Sequence, residues 1–239
     1  MSDVRPHCGD EYQRLAMHWN RSSCRYPSFD DRQMELLAGI LMGDGDLHGR
    51  GDTNPHFRVR TTNEQFLEAL DSRLGVLSKG VFPARTADEQ ARTARQNQEN
   101  GVEGFETVNE TEYSDLYGLR TCSHPELDRF RRWYDDGTKR FPEDIELTPT
   151  CAKAWFACDG WIAREESAGD RVMLKVTNEA HRSEFLVGLF ADVGFEVGFS
   201  RHAVQIPHRE SVRLLAWMGD PLPGFEHKWQ LSGPGSTNA

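Results

Sequence analysis

Lysine is scarce in this chain. Only Lys79, Lys139, Lys153, Lys175 and Lys228 occur among 239 residues, and arginine supplies the rest of the 28 basic side chains. Acidic residues number 38, so the formal net charge is −10. Taken alone, that charge argues against a polyanion partner. The composition qualifies the argument. Abundant acid with arginine in place of lysine is the pattern of a protein adapted to strong salt, in which acid coats the whole surface and net charge says little about one face. A halophilic archaeon or its virus is the expected source, and loss of structure in dilute buffer would support that reading. No apolar run is long enough to span a bilayer, and Met1–Arg5 leads into no apolar segment of the signal-peptide kind. A cytoplasmic protein with no membrane partner is expected. Five cysteines, an odd number without a Cys-x-x-Cys pair, indicate neither a disulfide framework nor a zinc ribbon. His7, Cys8, His18 and Cys24 match no common zinc spacing and read as scattered structural residues.

What the chain does contain is a repeat. Leu37-Ala38-Gly39-Ile40-Leu41-Met42-Gly43-Asp44-Gly45 and Ala152-Lys153-Ala154-Trp155-Phe156-Ala157-Cys158-Asp159-Gly160 both close an apolar, helix-like run on Asp-Gly. The spacing that separates Asp44 from Asp159 also separates Thr62-Asn63-Glu64 from Thr177-Asn178-Glu179. Matches on one register point to an internal duplication.

The coarse pattern supports two similar halves. A helix starts near Ser28 or Asp30 and stops at Gly45. His56–Arg60 alternates as a strand, with Phe57 and Val59 toward a core and His56, Arg58 and Arg60 outward. A helix from Thr62 or Asn63 to Gly75 and a strand from Val81 follow. Residues 84–113 are polar and read as an exposed insertion. A strand over Tyr117–Thr121 and a helix over Pro125–Tyr134 close the first half. In the second, Thr148 caps a helix whose first position is Pro149. Arg171–Val176 alternates, Asn178–Val193 is helical, Glu196–Arg201 and Ala203–Ile206 are strands, and Arg209–Met218 is a helix. The predicted class is α+β, two pseudo-symmetric αββαββα halves, with an N-terminal extension over 1–30, a first half over 31–142 and a second over 143–239.

An aspartate at a helix C-terminus is badly placed, because the exposed carbonyls there are partly negative. For a single Asp-Gly the simpler reading is a helix ending in a turn. Two on a duplicated register call for a compensating cation. Asp44 and Asp159, side by side, would offer a hard oxygen site suited to Mg²⁺. Ala38, Gly39 and Gly43, facing Ala154 and Ala157, would let the helices approach closely.

Leu37–Gly45 resembles the LAGLIDADG motif, keeping Leu-Ala-Gly, the apolar centre and the terminal Asp-Gly. Leu147-Thr148-Pro149 followed by Ala154–Gly160 resembles the second motif of single-chain LAGLIDADG homing endonucleases, departing from it at Lys153 and Cys158. The resemblance spans about residues 31 to 230. It implies motif helices at the interface and antiparallel sheets forming a DNA-binding saddle. It also implies Asp44 and Asp159 as metal-binding catalytic acids, with Mg²⁺ as cofactor and Mn²⁺ as substitute. The implied product is a double-strand break with short 3′ overhangs. Lys139, ahead of Arg140-Phe141-Pro142, and Lys228, within His227-Lys228-Trp229, match the family's basic residues near each centre. The implied partner is double-stranded DNA with a long, asymmetric target, bound by a monomer with an internal pseudo-twofold. Outward strand residues Arg58, Arg60, Lys175, Arg201, His202 and Gln205 are candidate DNA contacts. An intron RNA maturase or a DNA-binding regulator on the same scaffold is the alternative.

Overall fold

The structure is a computed structural model that describes residues 28–49, 53–102, 107–109, 112–135, 137–165 and 167–233. Most of the expected N-terminal extension, including His7, Cys8, His18 and Cys24, lies outside the described residues.

Helix α1 (Asp31–Met42) begins on a capping box in which Asp30 and Gln33 bond each other's backbone N–H. It runs into strand β1 (Asp46–His48), which pairs with β2 (His56–Thr61). Helix α2 (Glu64–Leu74) is capped by Asn63. Strands β3 (Ser78–Arg85) and β4 (Leu116–Thr121) complete an antiparallel sheet of order β1-β2-β4-β3. The second half repeats this plan. Helix α4 (Pro149–Asp159), capped by Thr148, leads directly into β7 (Gly160–Ala163). Then come β8 (Arg171–Lys175), α5 (Ser183–Ala191), β9 (Gly198–Ser200), β10 (Ala203–Ile206) and α6 (His208–Met218). The second sheet has the order β7-β8-β10-β9, the same permutation as the first.

The alternation expected for β2 is present: Phe57 and Val59 are buried, whereas Arg60 is exposed. In β8, Val172 and Leu174 face the core. Trp155 and Phe156 are core residues, as expected of the apolar run in α4.

Four local expectations need correcting. The exposed insertion expected over residues 84–113 carries regular structure that was not anticipated: β3 extends to Arg85, and Ala87–Glu99 form helix α3, with a Thr86–Glu89 capping box and Ala91 and Ala94 buried. Polar composition hid this helix because only its small alanine face is covered. Pro125–Trp133 is a 3₁₀ helix rather than an α-helix. Residues 177–182 likewise form a 3₁₀ turn before α5. The strand placed at 196–201 is only Gly198–Ser200, so Arg201 and His202 form an exposed turn, with Arg201 in the left-handed region at φ 54.

The halves meet through α1 and α4, which approach backbone to backbone. A Cβ on Gly39 would lie 2.2 Å from the Cys151 carbonyl oxygen and 2.7 Å from Ala154 Cβ. One on Gly43 would lie 2.4 Å from Cys158 Cβ. Around this seam Leu37, Ile40, Leu41, Ala154, Trp155 and Ala157 are fully buried. No α-helix among the described residues is long and apolar enough to cross a membrane. Because backbone atoms cannot move aside as a side chain can, Gly39→Ala is expected to cost about 1–3 kcal/mol. Urea unfolding measures it, and an unchanged midpoint contradicts this packing.

Candidate functional site

The close helix crossing brings two acids together. Asp159 is the last residue of α4, and Asp44 lies two residues beyond the end of α1. A Cβ on Gly43 would be 3.4 Å from Asp159 Oδ2, so the end of α1 abuts the second acid directly. Burial, reinforced by the neighbouring Asp44 charge, pushes the Asp159 carboxyl up to about 6. Burial also raises Asp44, although one side of this residue is open to water and three lysines, Lys139, Lys228 and Lys175, counter the shift.

Lys139 is presented by a short hairpin in which β5 (Tyr134–Asp135) pairs with β6 (Thr138–Lys139). Its Nζ donates to the carbonyls of Gly43 and, at 2.9 Å, Gly45. Lys228 follows from the 3₁₀ turn Glu226–Trp229, and its Nζ donates to the Ala157 carbonyl at 2.7 Å. Each helix end that carries an acid therefore carries an ammonium on its unsatisfied carbonyls. The electrostatic conflict anticipated for Asp-Gly at a helix terminus is met in the protein itself by lysine. Desolvation holds both ammonium groups below the ordinary lysine value, while the nearby carboxylates pull the other way.

A cleft of about 310 Å³ opens beside these groups, lined in part by Gly43, Lys139, Asp159, Lys175, Thr177 and Asn178. Lys175 ends β8 on the outward face of its sheet, where its charge acts on both acids. The four residues that could handle charge at a phosphate, Asp44, Asp159, Lys139 and Lys228, thus converge with Lys175 as a fifth.

The remaining candidates are spread over the sheet faces. Arg60 is exposed and sits opposite Gly118. Arg58 lies opposite Arg120 and Asp46, and Asp46 holds its guanidinium through bonds to Nε at 3.1 Å and to the second nitrogen at 2.9 Å. Gln205, half-buried, lies opposite Met173 in β8, and Met173 in turn lies opposite Trp161 in β7. Arg201 and His202 lie at the β9–β10 turn rather than on the face.

Sequence reasoning missed Asp46, Arg120 and Trp161. Asp46 was discoverable as the second acid of Asp44-Gly45-Asp46. Trp161, 41% exposed and directly after Asp159-Gly160, carried the signal of a large apolar residue adjoining a motif. Cys158 sits beside both acids, and burial drives its thiol up to about 12, leaving it a neutral spacer.

No group of three or more His, Cys, Asp or Glu side chains suited to a metal occurs among the described residues. The donor set is two carboxylates with adjacent carbonyls. Mg²⁺ fits such a set, because it keeps several waters and uses one or two carboxylates together with substrate phosphates.

Two halves of one sheet order that abut through acid-bearing helix ends form the LAGLIDADG meganuclease fold. The homing endonuclease I-WcaI, bound to its DNA recognition sequence, superposes on 86% of this chain and 88% of its own with a TM-score of 0.64 at 13% identity. The LAGLIDADG meganuclease I-AabMI bound to uncleaved DNA aligns over 76% of this chain and 81% of its own at 14% identity, with a TM-score of 0.37 that adds no weight. At these identities the likeness establishes the fold alone. No protein-family model matches the chain, and no curated sequence does.

Asp159 generates a pH signature. Its folded-state value lies above its ordinary value of 3.8, so the folded protein keeps a proton that the unfolded chain releases. This contribution to stability is fully present below about pH 4 and is lost as pH rises through about 6. Asp159→Asn is therefore expected to be more stable than the parent at pH 7, by about 1–2 kcal/mol after allowing for the site's open side. The difference should vanish near pH 4. Urea melts without divalent metal at both pH values measure it, and a less stable variant at pH 7 contradicts the burial argument.

Proposed function

We propose that this chain is a monomeric, site-specific DNA endonuclease of the homing type. It hydrolyses both strands of a long, asymmetric duplex target with a divalent metal, Mg²⁺ with Mn²⁺ as substitute, and leaves short 3′ overhangs. The observation that carries this reading is the pairing of two partly desolvated acids at abutting helix ends with one lysine ammonium on each helix terminus. The halves are proposed to divide between Pro142 and Glu143.

Asp44 and Asp159 supply the carboxylate oxygens, each serving one strand. A divalent ion bound there supplies Lewis-acid stabilisation at the phosphate and lowers the pKa of its water. Lys139 and Lys228 hold positive charge where the phosphorane becomes most negative, in a partly desolvated setting that strengthens the attraction. Arg58, Arg60 and Lys175, with Arg201, His202 and Gln205 at the second sheet and its turn, contact phosphates and base edges. Arg58 is pre-oriented by Asp46 and so loses less freedom on binding. That I-WcaI, of the same fold, is a homing endonuclease bound to its DNA recognition sequence supports the assignment of duplex DNA as partner.

Cleavage selection from a randomised duplex library in Mg²⁺, at low and high salt, tests the activity and reveals the target. On the selected duplex, Asp44→Asn and Asp159→Asn are each expected to lower double-strand cleavage by at least about 100-fold, with metal-free binding within a few-fold. Full cleavage by both variants sinks the assignment. A binding-only protein would enrich duplexes without cutting any.

The single-turnover rate should fall as pH drops below about 6, because a protonated Asp159 cannot hold the metal. Raising the metal concentration should move that fall to lower pH, since proton and metal compete for the same oxygens. A profile indifferent to metal concentration argues against this role.

A further inference from the structure

The repeated Thr-Asn-Glu segments carry none of the acids or lysines described so far, although Thr177 and Asn178 line the cleft, and both segments lie where one half touches the other. In the second copy, Glu179 is 1% exposed and ion-paired with Arg182 at 2.8 Å. Its Oε1 accepts the backbone N–H of Phe141 at 2.8 Å, and Arg182 donates to the Phe141 carbonyl at 2.7 Å. Both backbone groups of one residue in the first half are thereby held by a buried ion pair in the second. Phe141 is two residues beyond Lys139.

The first copy mirrors this arrangement with different atoms. Asn63 caps α2 with its oxygen and turns its Nδ2 to the Pro223 carbonyl at 3.4 Å. Gly224, at φ 79, comes so close that a Cβ there would lie 2.2 Å from Asn63 Oδ1. Phe225 then packs edge-on against Phe66 of α2 at 5.4 Å, and the Lys228 ammonium lies 5.1 Å over the Phe225 ring. Again the strap that bears one half's lysine is anchored on the other half's Thr-Asn-Glu element.

We propose that Glu179 with Arg182, and Asn63, are positioning residues that act reciprocally: each fixes, from the opposite half, the strap that places the other half's lysine. The proposal rests on the cleavage reading above, and it adds to that reading that neither centre is complete without the partner half. A displacement of about 1 Å at a reacting group suffices for a large loss of rate, so loosening one strap should damage one centre.

The full-length chain carrying Glu179→Ala, Glu179→Gln or Asn63→Asp tests this. Glu179→Gln keeps an acceptor for Phe141, and Asn63→Asp keeps the helix cap but loses the donor to Pro223. The probe is the duplex selected by the parent protein, with each strand labelled separately. Glu179→Ala is expected to slow one strand by about 10–100-fold in single turnover, with metal-free binding unchanged and Glu179→Gln largely restored. Asn63→Asp should slow the other strand. Independently of DNA, ¹⁵N-lysine spectra follow the ammonium groups, five in all and assignable by Lys→Arg variants. The Lys139 signal should shift in Glu179→Ala and the Lys228 signal in Asn63→Asp, each leaving the other in place. Unmoved signals, or both strands slowed equally, overturn the proposal. If Glu179→Ala does not fold, the Asn63→Asp arm decides alone. If the signals shift as expected but the parent cuts no duplex, the cleavage reading fails and the positioning role stands.

Discussion

Everything in this molecule depends on the distance between α1 and α4. Gly39 lies against the Cys151 carbonyl and Ala154, and Gly43 against Cys158, so the helices touch through backbone and the smallest side chains. Only at that separation do the two C-termini converge, and only then do Asp44 and Asp159 share one partly desolvated environment. The seam is at once the core of the protein and the floor of its site. The large side chains of α4 pack away from this contact: Trp155 lies against Phe141 and Phe190, and Phe156 meets Trp229.

Convergence creates an electrostatic problem that the chain answers from within. Two helix ends present unsatisfied carbonyls, and two carboxylates are added to them. Lys139 and Lys228 place their ammonium groups on those carbonyls, which stabilises the helix termini and keeps positive charge close to the acids. The same desolvation that raises the acids lowers the lysines. On the proposed reading, a cation at the carboxylates and a phosphate at the ammonium groups would complete this charge balance. In a chain with so few lysines, three of them (Lys139, Lys175 and Lys228) act on one pair of carboxylates.

The two halves share a topology and differ in surface. The outward face of the first sheet carries Arg58, Arg60 and Arg120, with Arg120 lying 5.9 Å over the Phe82 ring. The corresponding face of the second carries Lys175, Gln205, Met173 and Trp161. One face is dominated by guanidinium, and the other mixes the Arg171 guanidinium and Lys175 ammonium with amide, thioether and indole.

The duplication, the capped motif helices, the alternation of β2 and the choice of two acids and two lysines as candidates were all legible in the sequence. Each of these is encoded locally, by spacing, caps and periodicity, and needs no knowledge of what lies across the fold. Tertiary structure alone decided the rest. Asp-Gly looks the same in a turn as beside a second carboxylate, and only the helix crossing separates the two. Thr-Asn-Glu reads identically in both copies, yet Glu64 is exposed while Glu179 is buried against Phe141. Arg58 and Arg60 alternate alike on one strand, yet Asp46 across the sheet orients only the first. Burial and long-range partners set these differences, and both arise from residues distant in the chain, which no local pattern records.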